Sequence, residues 1–158
     1  MSRDELLQLS TREFQRRWDV ARTLSKGRTA GPGQPAPLPD DPPPTFEYSG
    51  YLDIEGFYWF HLDVIGFSAQ DYNFHGSGSS WIFSVAQCEM VGPMVTTLNT
   101  LSGVTIDFSL VLGAVGGGGA QITFTESKGG SVLGTLTGAA QGLGTGYASG
   151  SGTFAIPS

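Results

Sequence analysis

The sequence predicts an all-β antiparallel domain over residues 46–158 behind a short helical or disordered N-terminal segment, and three observations carry that prediction. From Phe46 onward the apolar residues recur at alternate positions, as in Phe46, Tyr48, Gly50, Leu52 and Ile54 set against Glu47, Ser49 and Asp53. Clusters of glycine, proline, asparagine and serine punctuate the alternating runs at His75-Gly76-Ser77-Gly78, Gly92-Pro93, 99–103, 116–119 and Lys128-Gly129-Gly130. No run of helical period lies between them, which excludes βαβ units and points to a sandwich or a closed barrel.

At the N-terminus, Ser2-x-x-Glu5 and Ser10-x-x-Glu13 both have capping-box spacing, in which a hydroxyl and a carboxylate satisfy N–H groups of the first helical turn. The second opens a run with Phe14, Trp18, Ala21 and Leu24 on one face and Arg12, Arg16, Arg17 and Asp19 around it, so a helix is expected over 10–26, with an extension from Ser2 through a kink. Gly27 is a natural stop. Seven of the nine prolines then fall between Pro32 and Pro44; this stretch cannot donate ladder hydrogen bonds and favours extended polyproline geometry. The chain thus divides into a basic segment over 1–28, a proline-rich linker over 29–45 and a β domain over 46–158.

Within the β domain, Glu55-Gly56 provides a tight reversal between a strand from Phe46 and a second over 57–67. Further strands are expected over 80–87, 90–97, 104–112, 120–126, 131–139 and 146–156, about eight in all, with 75–78 as a loop. Gly134 and Gly138, then Gly146, Ala148, Gly150 and Gly152, fall on alternate positions. Glycine there leaves a nearly bare strand face, serving either as room for large rings inside a coiled barrel or as a flat outer contact surface; the interior use is favoured because small barrels mix small and large inward residues.

Charge separates the two ends of the chain. The first 28 residues hold seven of the eight basic residues and four of the fourteen acids, a net +3, whereas the remainder holds Lys128 against ten acids, a net −9. An acidic body repels phosphate, so nucleic-acid binding by the β domain is not expected, and an anionic partner should meet the N-terminus. Phe14 and Trp18 flanked by Arg16, Arg17 and Arg22 suit a membrane interface, with rings at the headgroup boundary and guanidinium groups on anionic lipid. The same five residues also suit docking on an acidic partner, the −9 body included, or a segment that folds only on binding.

No catalytic centre, cofactor site or metal site is expected. His61 and His75 have no cysteine or carboxylate at a metal-binding spacing in the sequence. There is no Gly-x-Ser-x-Gly elbow, and no Gly-Lys-Ser/Thr follows the 116–119 run. Asp53, Glu55, Asp63, Asp107 and Glu126 supply carboxylates for glycosidase-type pairing, but Asp63 and Asp107 sit at the polar phase of alternating strands, where a solvated acidic face is the usual outcome. The single cysteine, Cys88, forms no internal disulfide and reads as a buried thiol. At the start of the chain Leu6, Leu7 and Leu9 are broken by Gln8 and followed by the polar-rich 10–15, so no secretory signal is expected there, and no window is apolar enough for a membrane helix.

Several stretches of the C-terminal half resemble one known family. They are Gly76-Ser77-Gly78; Val104-Thr105-Ile106-Asp107-Phe108; Ala114-Val115-Gly116; Ile122-Thr123-Phe124 with Ser127; Gly130-Ser131-Val132-Leu133-Gly134; Gly138; and Gly150-Ser151-Gly152-Thr153-Phe154. Together, across 76–154, they are similar to the virulence-associated proteins of actinobacterial pathogens. That resemblance implies a closed antiparallel barrel of about eight strands with Greek-key connections, a packed interior, no enzymatic activity, and secretion to act at host endolysosomal membranes. The chain departs from the family in having a basic helix and proline linker where the usual leader stands. The expected partners are therefore an anionic lipid membrane or a host or assembly protein, with no nucleic acid and no metal, reached by export that uses no N-terminal signal peptide; without export the protein is cytoplasmic. The alternatives are a module docked to a larger assembly through its N-terminal helix, and a small-molecule or carbohydrate-binding barrel.

Overall fold

The structure is a computed structural model and describes residues 2–25, 44–56, 59–67, 72–80, 86–113, 119–127, 131–139 and 146–155. The linker expected over 29–45 lies, apart from residues 44 and 45, outside the described residues, as does the 116–118 part of the glycine run.

One helix, α1 (Arg3–Ser25), precedes eight antiparallel strands: β1 (Phe46–Gly56), β2 (Trp59–Phe67), β3 (Tyr72–Ser80), β4 (Ala86–Met94), β5 (Ile106–Leu112), β6 (Ala120–Glu126), β7 (Val132–Gly138) and β8 (Gly146–Ala155). A one-turn helix, α2 (Leu98–Leu101), joins β4 to β5. The hydrogen-bonded order is β1-β2-β3-β8-β5-β6-β7-β4, and β4 pairs back onto β1, closing the ring. Around that ring, β4-β1-β2-β3 and β8-β5-β6-β7 each show the 4-1-2-3 spatial order that defines a Greek-key unit. The all-β antiparallel class and the preceding helix match the expectation from sequence.

The core follows from strand alternation. In β5, Ile106, Phe108, Leu110 and Leu112 point inward and are buried, while Asp107, Ser109 and Val111 between them are only half-buried. Four rings meet at the centre, where Phe74 lies 4.9 Å from Phe124, 5.0 Å from Phe154 and 5.7 Å edge-on from Phe108. Burying each such ring contributes on the order of 2–3 kcal/mol. Leu98 and Leu101 of α2 join this cluster, and the Gly103 N–H donates to the Phe154 carbonyl (3.0 Å), tying the α2 turn to β8.

The glycine face of β8 admits those rings. Gly76 of β3 is directly opposite Gly152, and Gly78 opposite Gly150. A Cβ at Gly76 would come within 2.6 Å of the Phe108 ring, so the ring occupies the space of the missing side chain. At Gly150 a Cβ would collide with the Ser77 carbonyl, which shows that β3 and β8 approach too closely for any side chain. Both reasons place the bare face inside the wall, as favoured from the sequence.

Local expectations fail where punctuation residues were read as breaks. His75-Gly76-Ser77-Gly78, expected as a loop, is the middle of β3, because its glycines are needed for the approach to β8. Gly92-Pro93 lies within β4; Pro93, which has no N–H, faces Glu47 in the β1 register and falls where the β4–β7 ladder skips from Val91↔Thr137 to Met94↔Gly134. Of the strand expected over 80–87, residues 81–85 lie outside the described residues, and its ends belong to β3 and β4. The strand expected over 90–97 stops at Met94.

A candidate interaction surface where the helix meets the barrel

The helix starts at the first capping signal rather than the second. The Glu5 N–H donates to Ser2 Oγ (3.2 Å) and the Leu6 N–H to the Ser2 carbonyl (3.1 Å), so the helix is continuous from Arg3 and passes straight through Ser10. Ser10 is fully buried against the barrel instead of capping. Its Oγ donates to the Val91 carbonyl (2.7 Å), beside the gap in the β4–β7 ladder, and lies 2.6 Å from Thr137 Oγ1.

Ser10, Phe14 and Trp18 are spaced i, i+4, i+8 and form one stripe, which α1 lays across the outer faces of β4 and β7. Phe14 and Trp18 are 2% and 4% exposed and cluster with Val132, with Val95 packed at the edge. Val132 reaches this outer face through the register irregularity at Phe124/Thr125, which leaves the neighbouring Leu133 in the barrel core. The rest of the floor is hydroxylated. Thr123, Thr135 and Thr137 are buried, Thr123 and Thr135 place their hydroxyls 3.4 Å apart, and Gln121 Nε2 donates to Thr137 Oγ1 (3.1 Å). Every residue of β7 is consequently buried, by the core on one face and by α1 on the other.

The structure places all five N-terminal site residues on α1. Phe14 and Trp18 face the barrel, not solvent, because the helix stripe that suits a bilayer suits an uncovered sheet face equally well. Arg16 and Arg17 both hold Glu13; Arg17 Nε donates to Glu13 Oε1 (2.8 Å) and Arg16 Nε to Oε2 (2.9 Å). Arg22 stands 3.8 Å from Asp19 Oδ1. Arg3, not singled out from sequence, pairs with Glu47 of β1 (2.6 Å) and fixes the start of the helix beside the start of the barrel. On one flank α1 leaves Arg16 (59% exposed), Val20 (49%) and Leu24 (71%) outward, stacked i, i+4, i+8.

Burial pushes the Glu13 carboxyl up, but hydrogen bonds and charge from Arg16 and Arg17 together outweigh it and hold the group below the ordinary carboxylate range. Because the folded-state pKa is depressed, the stabilisation is complete above the unfolded value and is lost as pH falls through the folded one. The Glu13 pairs should therefore persist to lower pH than an ordinary glutamate would allow, dissolving only as pH falls through the depressed folded-state value. A carbon-detected titration of the Glu13 carboxyl checks this, and a midpoint at or above that of an unstructured glutamate would contradict it. Cys88 lies inside the barrel, and burial pushes its thiol up to about 11, which makes it a poor nucleophile.

The register also assembles what sequence spacing did not reveal. Asp53 of β1 lies directly opposite Asp63 of β2, and Asp63 directly opposite His75 of β3; Glu55 is likewise opposite His61. The register thus places Asp63 beside His75 and Glu55 beside His61 across strands and not along the chain. Among the described residues there is no group of three or more His, Cys, Asp or Glu that could hold a metal ion, and no helix is long and apolar enough to cross a membrane.

No protein-family model and no curated protein matches the sequence. Solved structures do match. The virulence-associated protein VapD from the intracellular pathogen Rhodococcus equi is similar with a TM-score of 0.56 and 25% identity, over 71% of this chain and 99% of that one. VapB from the same organism is similar with a TM-score of 0.54 and 23% identity, over 70% of this chain and 97% of that one. Each neighbour is matched almost whole, yet leaves about 30% of this chain without a counterpart, close to the share that residues 1–45 make of 158. The barrel has the fold of the virulence-associated proteins, the family that its strand motifs resemble.

Proposed function

We propose that this protein is a non-enzymatic barrel of virulence-associated type that acts through its outer surface on an anionic lipid membrane, outside the cell that makes it. The observation that carries this reading is the filled interior: Phe74, Phe108, Phe124 and Phe154 pack ring on ring where a container would hold a ligand. A barrel built this way leaves the outer surface as the place to act. The lipid assignment is supported by the flank of α1, where exposed Val20 and Leu24 follow Arg16, an apolar pair with a guanidinium beside it. The likeness to the two Rhodococcus equi virulence-associated proteins agrees with this reading.

Co-sedimentation of the full chain with vesicles of phosphatidylcholine, with and without phosphatidylserine, tests it. Binding that requires phosphatidylserine and weakens with added salt is expected. No association with either vesicle at acidic or neutral pH would sink the lipid reading and leave a host protein as the partner to seek.

A further inference from the structure

The seam between α1 and the barrel is built differently from the barrel core. The core holds Phe74, Phe124, Phe154 and their aliphatic neighbours, whereas the seam holds only Phe14, Trp18 and Val132 as its own apolar cluster, over a floor of three threonines. A threonine-lined strand face can stand in water, so removing α1 exposes hydroxyls and a few valines and leaves the core intact. The two solved neighbours are matched over 97% and 99% of their length by about 70% of this chain, a share close to that of the β domain alone.

The tether permits release. Arg3 is pinned beside Glu47 at the start of β1, and a helix of 23 residues extends about 33 Å, so the chain must return roughly that distance from Ser25 to Phe46. A chain of 20 residues can span at most about 66 Å, roughly twice the need. Helix α1 can therefore leave its seat and remain attached. From Arg12 to Arg28 the chain holds six basic residues against two acids, interleaved with Phe14, Trp18, Val20 and Leu24. Docked, the large apolar side chains that the described part of this segment offers to solvent are Val20 and Leu24; released, it offers two aromatic anchors as well.

We propose that α1 is a releasable strap: the stripe of Ser10, Phe14 and Trp18 that seals β4 and β7 is also the lipid-binding element, so the protein grips an anionic bilayer firmly only with the strap open. This rests on the lipid reading above, and the test separates the two. In the double variant Ser10→Cys/Thr137→Cys, the new thiols replace hydroxyls 2.6 Å apart, near enough for a disulfide that locks the strap shut, while Cys88 stays sequestered inside the barrel. Oxidised and reduced forms are compared on phosphatidylserine-containing vesicles. Binding about tenfold or more weaker in the oxidised form than in the reduced form or the parent chain is expected. Equal binding by oxidised and reduced forms overturns the strap and leaves the lipid reading standing; no binding by any form overturns both. A second variant, Thr137→Arg, alters the seat and leaves α1 untouched. It should bind vesicles several-fold more tightly than the parent chain, and unchanged or weaker binding with an intact barrel signature in circular dichroism overturns the strap.

Discussion

Replacing Phe74 by alanine is expected to cost the barrel about 3–5 kcal/mol, most of the stability of an ordinary domain. Phe74 is fully buried and touches three other rings, so the lost ring leaves a void bounded on several sides by rigid neighbours. Inward collapse is opposed by the wall itself, because β3 and β8 are already at closest approach through Gly76, Gly78, Gly150 and Gly152. The urea midpoint should fall steeply with little change in slope. A loss below about 1 kcal/mol would mean that the four rings do not form the core.

Trp18→Ala should have an effect of similar gross size, roughly 3 kcal/mol, but confined to the helix. Trp18 is 4% exposed and shares its cluster with Phe14 and Val132 alone, apart from the edge contact with Val95. Its loss should release α1 while the barrel unfolds at nearly the parent midpoint. Amide hydrogen exchange reads both at once: residues of α1 should lose protection and those of β5 and β6 should keep it. Loss of protection throughout the barrel would show that helix and barrel form one cooperative unit.

The contrast between these two positions also shows what could be read from the chain. Phe108, Phe124 and Phe154 were legible in outline, because they fall in expected strands whose alternation marks an inward face, whereas Phe74 was not, because no strand was expected over 72–79. Ser2 and Glu5 announced the helix start correctly. Ser10 has the same spacing to Glu13, yet serves as a buried anchor on the Val91 carbonyl, a role set by a strand 81 residues away. Phe14 and Trp18 were legible as an apolar stripe but not as to what covers it, since bilayer and sheet face ask the same of a helix. The cross-strand register of Asp53, Asp63 and His75 was illegible for another reason. Asp53, Asp63 and His75 are spaced irregularly along the chain and meet only through the registers of β1 with β2 and β2 with β3. Glycine misled most at 75–78, where residues that usually break a strand are the ones that let β3 lie against β8.

Salt bridges explain little of the seam. Glu13 with Arg16 and Arg17 is internal to the helix, and Arg3–Glu47 is exposed on both sides, so each contributes at most a few tenths to about 1 kcal/mol. Among the described residues, Phe14, Trp18 and the Ser10 hydroxyl are the buried contacts that seat the helix. That modest seal is what allows a tethered segment to be both cover and ligand, with the filled barrel as its support.

The most direct test of this picture is amide hydrogen exchange of the full chain, free and with phosphatidylserine-containing vesicles, followed at α1 and in the barrel separately. In the free protein α1 should be protected, but less than β5 and β6, and opening independently of them. With vesicles, exchange should rise at β7 and the outer positions of β4, where the seat is uncovered, while the barrel core stays protected. If α1 exchanges at unprotected rates in the free protein, or if β7 is unchanged when vesicles bind, the docked and releasable helix is contradicted.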